Sequence, residues 1–298
     1  MNYRSPILSA ILLILTILIA SCSQPVPTSE NDPDSPVVIL DSDSGVAEFQ
    51  ILIVANDMEV GTPRIPIIVR DGPNMVREID QIFLTVLDIN EEPFTVVWEG
   101  PATNFSDYAV PYWVFYPEIE KAGNYGVQAD ILLNDGATTE SQFAVAIQDD
   151  AIAPAVGDSG FPSESRTAFD AEAIKEISSD FQNPDPEFYR LTLAEALSNG
   201  RPTVISFSTP SFCATAFCAP VLETMKEVKS KNADFDYVHI EIFADFETLK
   251  PHKTINEWQL QSEPWTYVLD ANGIVTARFG GPVSPSELGS QLLGTSNQ

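Results

Sequence analysis

The spacing of hydrophobic and polar residues changes several times along this chain, and each spacing predicts a different kind of structure. The first apolar run covers residues 7–19 and follows a single charged residue, Arg4. It is shorter than the roughly 20 apolar residues that a membrane-spanning helix needs. Two small residues and then Cys22 follow it, which is the layout of a cleavable export signal. We therefore predict a signal peptide over residues 1–21.

The next stretch, residues 22–45, has a composition that opposes folding. It is rich in Ser, Pro, Asp and Asn, and it contains no Lys or Arg. Such a segment has too little apolar surface to offset the entropy that is lost on ordering. We expect a disordered acidic tether here.

Short runs of β-forming residues, separated by turn signals, occupy residues 46–150. Apolar and polar residues alternate in the last two runs, and Asn134-Asp135-Gly136 between them predicts a hairpin turn. Seven such runs in about 100 residues favour a β-sandwich. The predicted strands are residues 49–55, 65–69, 82–89, 94–98, 112–116, 125–133 and 142–147.

One turn in this region resembles the tyrosine corner of immunoglobulin-like domains. The turn is Ala122-Gly123-Asn124-Tyr125-Gly126-Val127, with Val127 where antibody domains carry a disulfide cysteine. The resemblance implies an all-β immunoglobulin-like sandwich over residues 46–150. Its role stays open between a partner-binding module and a rigid spacer.

The pattern changes again after residue 150. Residues 151–186 contain four Pro and two Gly and are predicted to be a linker. Over residues 187–298 helix and strand signals alternate, which favours an α/β domain. Thr192 and Glu195 form a capping box for a short helix. The further elements predicted are strands at 203–208, 237–243, 265–269 and 274–279, and helices at about 215–231, near 254–260 and from Ser284 onward.

The order of these elements over about residues 188–295 resembles the thioredoxin fold. The strand Val204-Ile205-Ser206-Phe207 leads into a cysteine-bearing turn, and Ala219-Pro220-Val221-Leu222-Glu223 resembles the proline-kinked helix that follows it in that family. Further on, Ser262-Glu263-Pro264-Trp265-Thr266 resembles the loop that holds the family's cis-proline. The resemblance implies that Pro264 and Glu263 lie beside the cysteines and position a substrate chain.

Three cysteines constrain the chemistry. Ile19-Ala20-Ser21-Cys22 resembles the bacterial lipobox, which implies lipid on Cys22 and an extracytoplasmic protein anchored to a bacterial cell membrane. That compartment is oxidising. Cys213 and Cys218 then remain as one pair, either a local disulfide or a dithiol.

The cysteine pair departs from the C-x-x-C spacing of thioredoxins. Residues five apart on a regular helix lie about 8 to 9 Å apart at Cα, beyond the roughly 7 Å limit for a disulfide. If the two pair, Cys213 must lie in a turn before the helix. In addition, Ser206 stands at the position of the family's buried acid, so the usual proton acceptor is missing.

Three functions follow from these residues. The first is thiol-disulfide exchange with extracytoplasmic protein thiols or disulfides, in which Cys213 attacks and Cys218 resolves. The second is a non-catalytic envelope lipoprotein in which a Cys213–Cys218 bridge shapes a binding surface. The third is Cu(I) binding by the cysteines and a histidine, for which His239 and His252 are the available residues.

The overall charge excludes one class of partner. The formal net charge is −28, and an acidic surface without a basic patch repels nucleic acid. The chain has no P-loop, dinucleotide fingerprint, G-x-S-x-G or H-E-x-x-H motif. We therefore predict no nucleic-acid partner, no cofactor and no resident metal.

Overall fold

A computed structural model describes residues 49–295 of the chain. The predicted signal peptide, the predicted acidic tether and Cys22, which is predicted to carry lipid, lie outside these residues. Among the described helices, none combines the length and the apolar character that crossing a membrane would require.

Nine strands follow one another in the N-terminal half. They are β1 (Gln50–Ile53), β2 (Ile65–Asp71), β3 (Asn74–Met75), β4 (Ile79–Asp88), β5 (Thr95–Pro101), β6 (Thr103–Phe105), β7 (Tyr112–Phe115), β8 (Gly123–Leu133) and β9 (Thr138–Ile147). One sheet has the order β1-β2-β7-β6, with β3 paired to β2, and the other has the order β5-β4-β8-β9. All of these pairings are antiparallel.

The two sheets share one hydrophobic core. Ile67 of β2 and Trp113 of β7 belong to the same buried cluster as Leu84 of β4 and Val127 of β8. The hydroxyl of Tyr125 donates to a backbone carbonyl four residues upstream at 2.7 Å, as in a tyrosine corner. Residues 50–147 therefore form a two-sheet sandwich, and its assignment to the immunoglobulin-like class stays a prediction.

The sequence pattern missed two strands of the sandwich, β3 and β6. They have two and three residues, and none of these residues is buried. Such short, exposed strands have too few alternating positions to produce a hydrophobic period. Their pairing depends on the neighbouring strands rather than on their own sequence.

A segment with two short 3₁₀ helices, Ile174–Glu176 and Pro186–Tyr189, joins the sandwich to the C-terminal half. It packs against that half, because Ala153 belongs to one of its core clusters and Ser159 forms a β-bridge with Ile274. Phe188 and Tyr189 are buried in a second core cluster. The Pro- and Gly-rich composition therefore accompanies an irregular but packed segment.

Strands and helices alternate in the C-terminal half. The elements are α1 (Leu193–Ala196), β10 (Thr203–Ser208), α2 (Cys218–Lys231), β11 (Asp236–Glu241), β12 (Phe243–Asp245), β13 (Lys250–Pro251), α3 (Lys253–Glu257), β14 (Trp265–Leu269), β15 (Val275–Gly280) and α4 (Pro285–Thr295). The main sheet has the order β11-β10-β14-β15. Strands β10 and β11 are parallel, and the other two pairs are antiparallel. This order and these directions are those of the thioredoxin fold.

Hydrophobic side chains cover both faces of this sheet. On one face, Leu222 of α2 and Leu288 of α4 share a buried cluster with Val204 of β10. On the other face, Phe207 of β10 packs with Trp258, at a ring-centroid distance of 5.0 Å. A strand buried on both faces explains the nearly continuous apolar run at 203–208.

Several predicted boundaries in this half were wrong by a few residues. Helix α2 begins at Cys218 rather than near residue 215, because the preceding residues form the disulfide loop. Pro220 therefore lies in the first turn, where its missing N–H removes no intrahelical hydrogen bond. Strand β11 ends at Glu241, and a short hairpin of β12 and β13 follows it. The capping box of Thr192 and Glu195 is confirmed.

A buried ion pair joins the sandwich to the C-terminal half. Arg64 donates to Glu287 of α4 at 2.7 and 2.9 Å, and Tyr112 donates to the same carboxylate at 2.7 Å. Nearby, Gly281 has a φ of 76°, and a Cβ there would lie 2.3 Å from the carbonyl oxygen of Val54. Only a glycine fits this close backbone approach.

Candidate redox site

The two C-terminal cysteines form a disulfide at the start of helix α2. The Cα atoms of Cys213 and Cys218 lie 6.0 Å apart. Cys218 is the first residue of α2 and is fully buried, whereas Cys213 lies in the preceding turn and is partly exposed. The pairing thus meets the geometric condition that the sequence imposed, namely that Cys213 is outside the helix.

The two aromatic residues that flank this loop have different surroundings. Phe217 is 4% exposed and packs with Ile68, Val110 and Val114 of the sandwich. Phe212 is partly exposed and lies in a cluster of other phenylalanines. The sandwich therefore covers the cysteine loop on the side of Phe217.

The loop that contains Pro264 lies against the cysteine loop. The Glu263–Pro264 peptide bond is cis, as the family resemblance implied. The Glu263 carboxylate accepts a hydrogen bond from the backbone nitrogen of Ala214, the residue after Cys213, at 3.1 Å. Pro264 is buried and precedes strand β14, which pairs with β10. The structure thus brings together all four residues predicted for the site: Cys213 and Cys218 at the start of α2, and Glu263 and Pro264 in the adjacent loop.

Two features near the disulfide favour the thiolate form of a reduced cysteine. The hydroxyl oxygen of Thr215 lies 3.3 Å from the sulfur of Cys213 and can donate to it. Helix α2 has no acidic residue in its first turn and no side-chain cap, so its free N–H groups carry an uncompensated positive dipole. Such surroundings favour a nucleophilic sulfur.

The position of the family's buried acid, Ser206, belongs to a chain of neutral polar groups. Its hydroxyl lies 3.2 Å from that of Ser208, which lies 2.9 Å from Nε2 of His239. Nδ1 of His239 lies 2.5 Å from the hydroxyl of Tyr189. Burial lowers the pKa of His239 to about 4, so this imidazole is neutral near pH 7. These side chains satisfy one another, and none of them carries a charge near pH 7.

Sequence reasoning missed a buried carboxylate on the neighbouring strand. Glu241 ends β11 directly beside Ser208 of β10 and is 5% exposed. Its Oε1 atom accepts from the backbone nitrogen of Ser179 at 2.5 Å, and its Oε2 atom has no hydrogen-bond partner within residues 49–295. Burial raises the pKa of Glu241 to about 7, although the bond from Ser179 opposes this shift. The available signal was an acid that directly follows the apolar residue Ile240 at the end of the strand.

A single residue links Glu241 to the cysteine loop. Ser179 donates to Glu241, and its hydroxyl oxygen accepts from the backbone nitrogen of Ser211 at 3.3 Å. The Ser211 hydroxyl donates to the backbone oxygen of Ser179. Ser211 lies two residues before Cys213. The acid is thus coupled through hydrogen bonds to the segment that carries the more exposed sulfur.

The residues of the copper hypothesis do not fit a metal site. Both ring nitrogens of His239 have protein partners, and Nδ1 of His252 accepts from Thr254 at the start of α3. Both histidines line a cavity of about 20 Å³ together with Glu241, and the cysteines are not among its lining residues. Within residues 49–295, no three His, Cys, Asp or Glu residues lie close enough together to hold a metal ion. The donor set of two cysteines and a histidine is therefore not assembled.

Comparisons of the sequence with known proteins identify no family. No protein-family model matches the chain, and no curated protein matches it either. The functional interpretation therefore depends on the geometry described above.

Some solved structures are weakly similar to the chain. A protein described as thiol:disulfide interchange protein DsbE from Chlorobium tepidum matches 48% of this chain and 99% of its own, at 14% identity and a TM-score of 0.36. A thioredoxin-family thiol:disulfide interchange protein from Chlorobium tepidum TLS matches 49% and 98%, at 17% identity and a TM-score of 0.30. CopC from Methylosinus trichosporium OB3b matches 32% and 84%, at 18% identity and a TM-score of 0.24. TM-scores of this size are too low to assign a fold or a function.

Proposed function

We propose that this chain exchanges disulfides with extracytoplasmic protein thiols or disulfides through Cys213 and Cys218. One observation carries the proposal. The partly exposed Cys213 is bonded to the buried Cys218 at the start of α2, in contact with the loop of Glu263 and Pro264. An accessible sulfur paired with a protected one is the arrangement that a two-step exchange reaction needs.

The reaction proceeds by two nucleophilic displacements. In the reduced protein, the Cys213 thiolate attacks one sulfur of a partner disulfide, which forms a mixed disulfide and releases the other partner sulfur as a thiolate. The Cys218 thiolate then attacks the Cys213 sulfur and releases the second partner thiolate. Two electrons pass from the Cys213–Cys218 dithiol to the partner, whose thiolates take up protons. The reverse sequence oxidises a partner dithiol.

The proposal includes a location outside the cell. Support comes from the signal-peptide pattern at residues 1–21, the lipobox-like residues that end at Cys22, and the acidic tether that follows. Two or more acyl chains on Cys22 would make membrane attachment stable. The tether would then hold the sandwich and the cysteine site away from the lipid surface.

The second candidate function is a structural disulfide that does not turn over. Two contacts of the cysteine loop support it. Cys218 is fully buried, and Phe217 anchors the loop to the sandwich. A bridge of this kind would hold the loop in place without turnover. The two candidates predict different reduction potentials, because a structural disulfide resists reduction by the glutathione pool.

Redox titration of the full chain distinguishes the two candidates. For an exchange protein we expect a potential above roughly −300 mV, together with reduction of insulin disulfides that Cys213→Ser abolishes. Cys22→Ser serves as the control, because it removes a cysteine but leaves the pair intact. A potential far below roughly −300 mV, with no insulin reduction by the unaltered chain, would support the structural bridge.

A further inference from the structure

Four phenylalanines from three segments form a cluster beside Cys213, here called the aromatic patch (Phe181, Phe212, Phe243 and Phe246). The rings of Phe212 and Phe246 are stacked at a centroid distance of 5.4 Å. Phe181 meets both of them edge to face at 6.2 and 6.1 Å. Phe243 meets Phe212 at 6.3 Å. The rings therefore hold one another in a defined arrangement.

The patch is open to solvent. The side chain of Phe181 is 54% exposed, and the other three are partly exposed. Phe243 also packs against the core under the sheet, which attaches the patch to the fold. Contiguous exposed apolar surface is unfavourable in water and marks interaction sites in soluble proteins.

The aromatic patch lies next to Cys213, whose sulfur reacts in the proposed exchange. Phe212 immediately precedes Cys213 in the chain. Phe217, at the other end of the loop, is buried against the sandwich. The sandwich covers the loop on the side of Phe217, so a protein that reaches Cys213 approaches from the side of Phe212. There it contacts the aromatic patch.

The charge around the patch is negative. Segments 178–183, 209–218, 241–250 and 261–264 build the patch and the cysteine site, and together they contain five acids and one cation, Lys250, which lies opposite Asp245 in the β12–β13 hairpin. Asp180 is paired with Lys226 of α2 at 2.6 Å, and Glu241 is buried. The acids that remain are Glu247, which is exposed, and Glu263, which is partly exposed. Such a surface attracts positively charged segments.

We infer that the aromatic patch is the docking surface for a protein segment that carries an apolar side chain flanked by Lys or Arg. This inference rests on the proposed exchange function, since it names the kind of partner that Cys213 would meet. The apolar side chain would contact the rings of Phe181 and Phe246. The flanking cations would interact with Glu247 and Glu263.

Binding of unreactive peptides to the oxidised full chain tests the inference. The probe is a fluorescent peptide with Lys-Leu-Ser-Leu-Lys at its centre, in which Ser replaces the reacting cysteine, and anisotropy reports binding. We expect Phe181→Ala and Phe246→Ala each to weaken binding about fivefold or more. Phe94→Ala is the matched control, because Phe94 is 55% exposed on the sandwich, and it should leave binding unchanged.

Peptide charge provides the second arm of the test. A peptide with Glu in place of Lys should bind at least about tenfold more weakly, and added salt should reduce the difference. Equal binding of the two peptides, or equal effects of Phe181→Ala and Phe94→Ala, would overturn the inference.

A separate measurement tests the exchange function independently of the docking surface. The reduced chain is mixed with hydroxyethyl disulfide, a small neutral compound that does not need the patch. Peptide binding without reduction of this compound would support the docking surface and reject the exchange function. Reduction of the compound without selective peptide binding would reject the docking surface alone.

Discussion

The Oε1 atom of Glu241 lies 2.5 Å from the backbone nitrogen of Ser179, on the hydrogen-bonded path from strand β11 to the cysteine loop. The carboxyl is 5% exposed, and its pKa is raised from 4.5 to about 7 by burial. The negative charge of Asp180 contributes to the same shift. This buried acid therefore makes the stability of the fold depend on pH.

The contribution of Glu241 to stability should fall as the pH rises from about 4.5 to about 7. In this range the folded protein holds the Glu241 proton and the unfolded chain releases it, so a rise in pH favours unfolding. The effect of the pKa shift is at most about 3 kcal/mol. Urea unfolding of the unaltered chain and of Glu241→Gln, measured at several pH values, should give a difference in unfolding free energy that changes across this window. A constant difference would contradict the pKa shift.

The buried pair of Arg64 and Glu287 should contribute strongly to stability. The two side chains are 10% and 5% exposed, and removal of one partner from a buried pair costs about 3 to 5 kcal/mol because it leaves an unpaired charge. We expect Glu287→Gln to lower the free energy of unfolding by several kcal/mol. Glu227→Gln is the control, because its pair with Lys231 is exposed and should matter by less than about 1 kcal/mol.

The two phenylalanines of the cysteine loop should differ in their effect on stability. Phe217→Ala removes a ring that is 4% exposed and packed against the sandwich, so it should destabilise the protein by about 3 kcal/mol or more. Phe212→Ala should cost less, because its ring is partly exposed. Thermal unfolding of both variants measures the difference. Equal losses would mean that the sandwich does not support the loop through Phe217.

Thr215 should increase the reactivity of Cys213 in the reduced protein. Its hydroxyl lies 3.3 Å from the sulfur and can stabilise a thiolate by a charge-assisted hydrogen bond. We expect Thr215→Val to slow iodoacetamide alkylation of Cys213 at pH 7 about threefold to tenfold. Thr215→Ser keeps the hydroxyl and should restore the rate. If Val and Ser variants react alike, the hydroxyl has no such role.

The anchoring proposal predicts a separable effect of Cys22. Replacement by Ser removes the sulfur that would carry lipid, so the chain should leave the membrane fraction of cells that express it. The Cys213–Cys218 disulfide should still form, which mass spectrometry of the unreduced protein can check. Cys213→Ser is the control and should stay with the membrane. Retention of the Cys22→Ser chain in membranes would reject lipid attachment at this residue.

Local sequence signals predicted most elements of the C-terminal half. The strands at 203–208 and 265–269 have the predicted bounds, because apolar runs between turn residues identify buried strands. The capping box of Thr192 and Glu195 was equally readable, because both of its hydrogen bonds lie within four residues. Such features depend on neighbours in the chain and therefore need no knowledge of the fold.

The residues of the site were predictable in part. Cys213, Cys218 and Pro264 were identified from residue type and order, and the condition that Cys213 lies outside the helix followed from helix geometry. Glu241 was not identified, because its importance depends on its position beside Ser208 on a parallel strand. Pairing between strands that are separated by a helix cannot be derived from either strand alone.

The sequence by itself determined where strands, turns and helices occur and which two cysteines can meet, since these depend on spacing over a few residues. Only the tertiary structure decided that Phe217 faces the sandwich, that Phe212 joins a solvent-exposed aromatic patch, and that Glu241 is buried near the cysteine loop. These placements arise from contacts between distant segments. Hydrophobic periodicity indicates which side of an element is buried, but it does not indicate the partner against which that side packs.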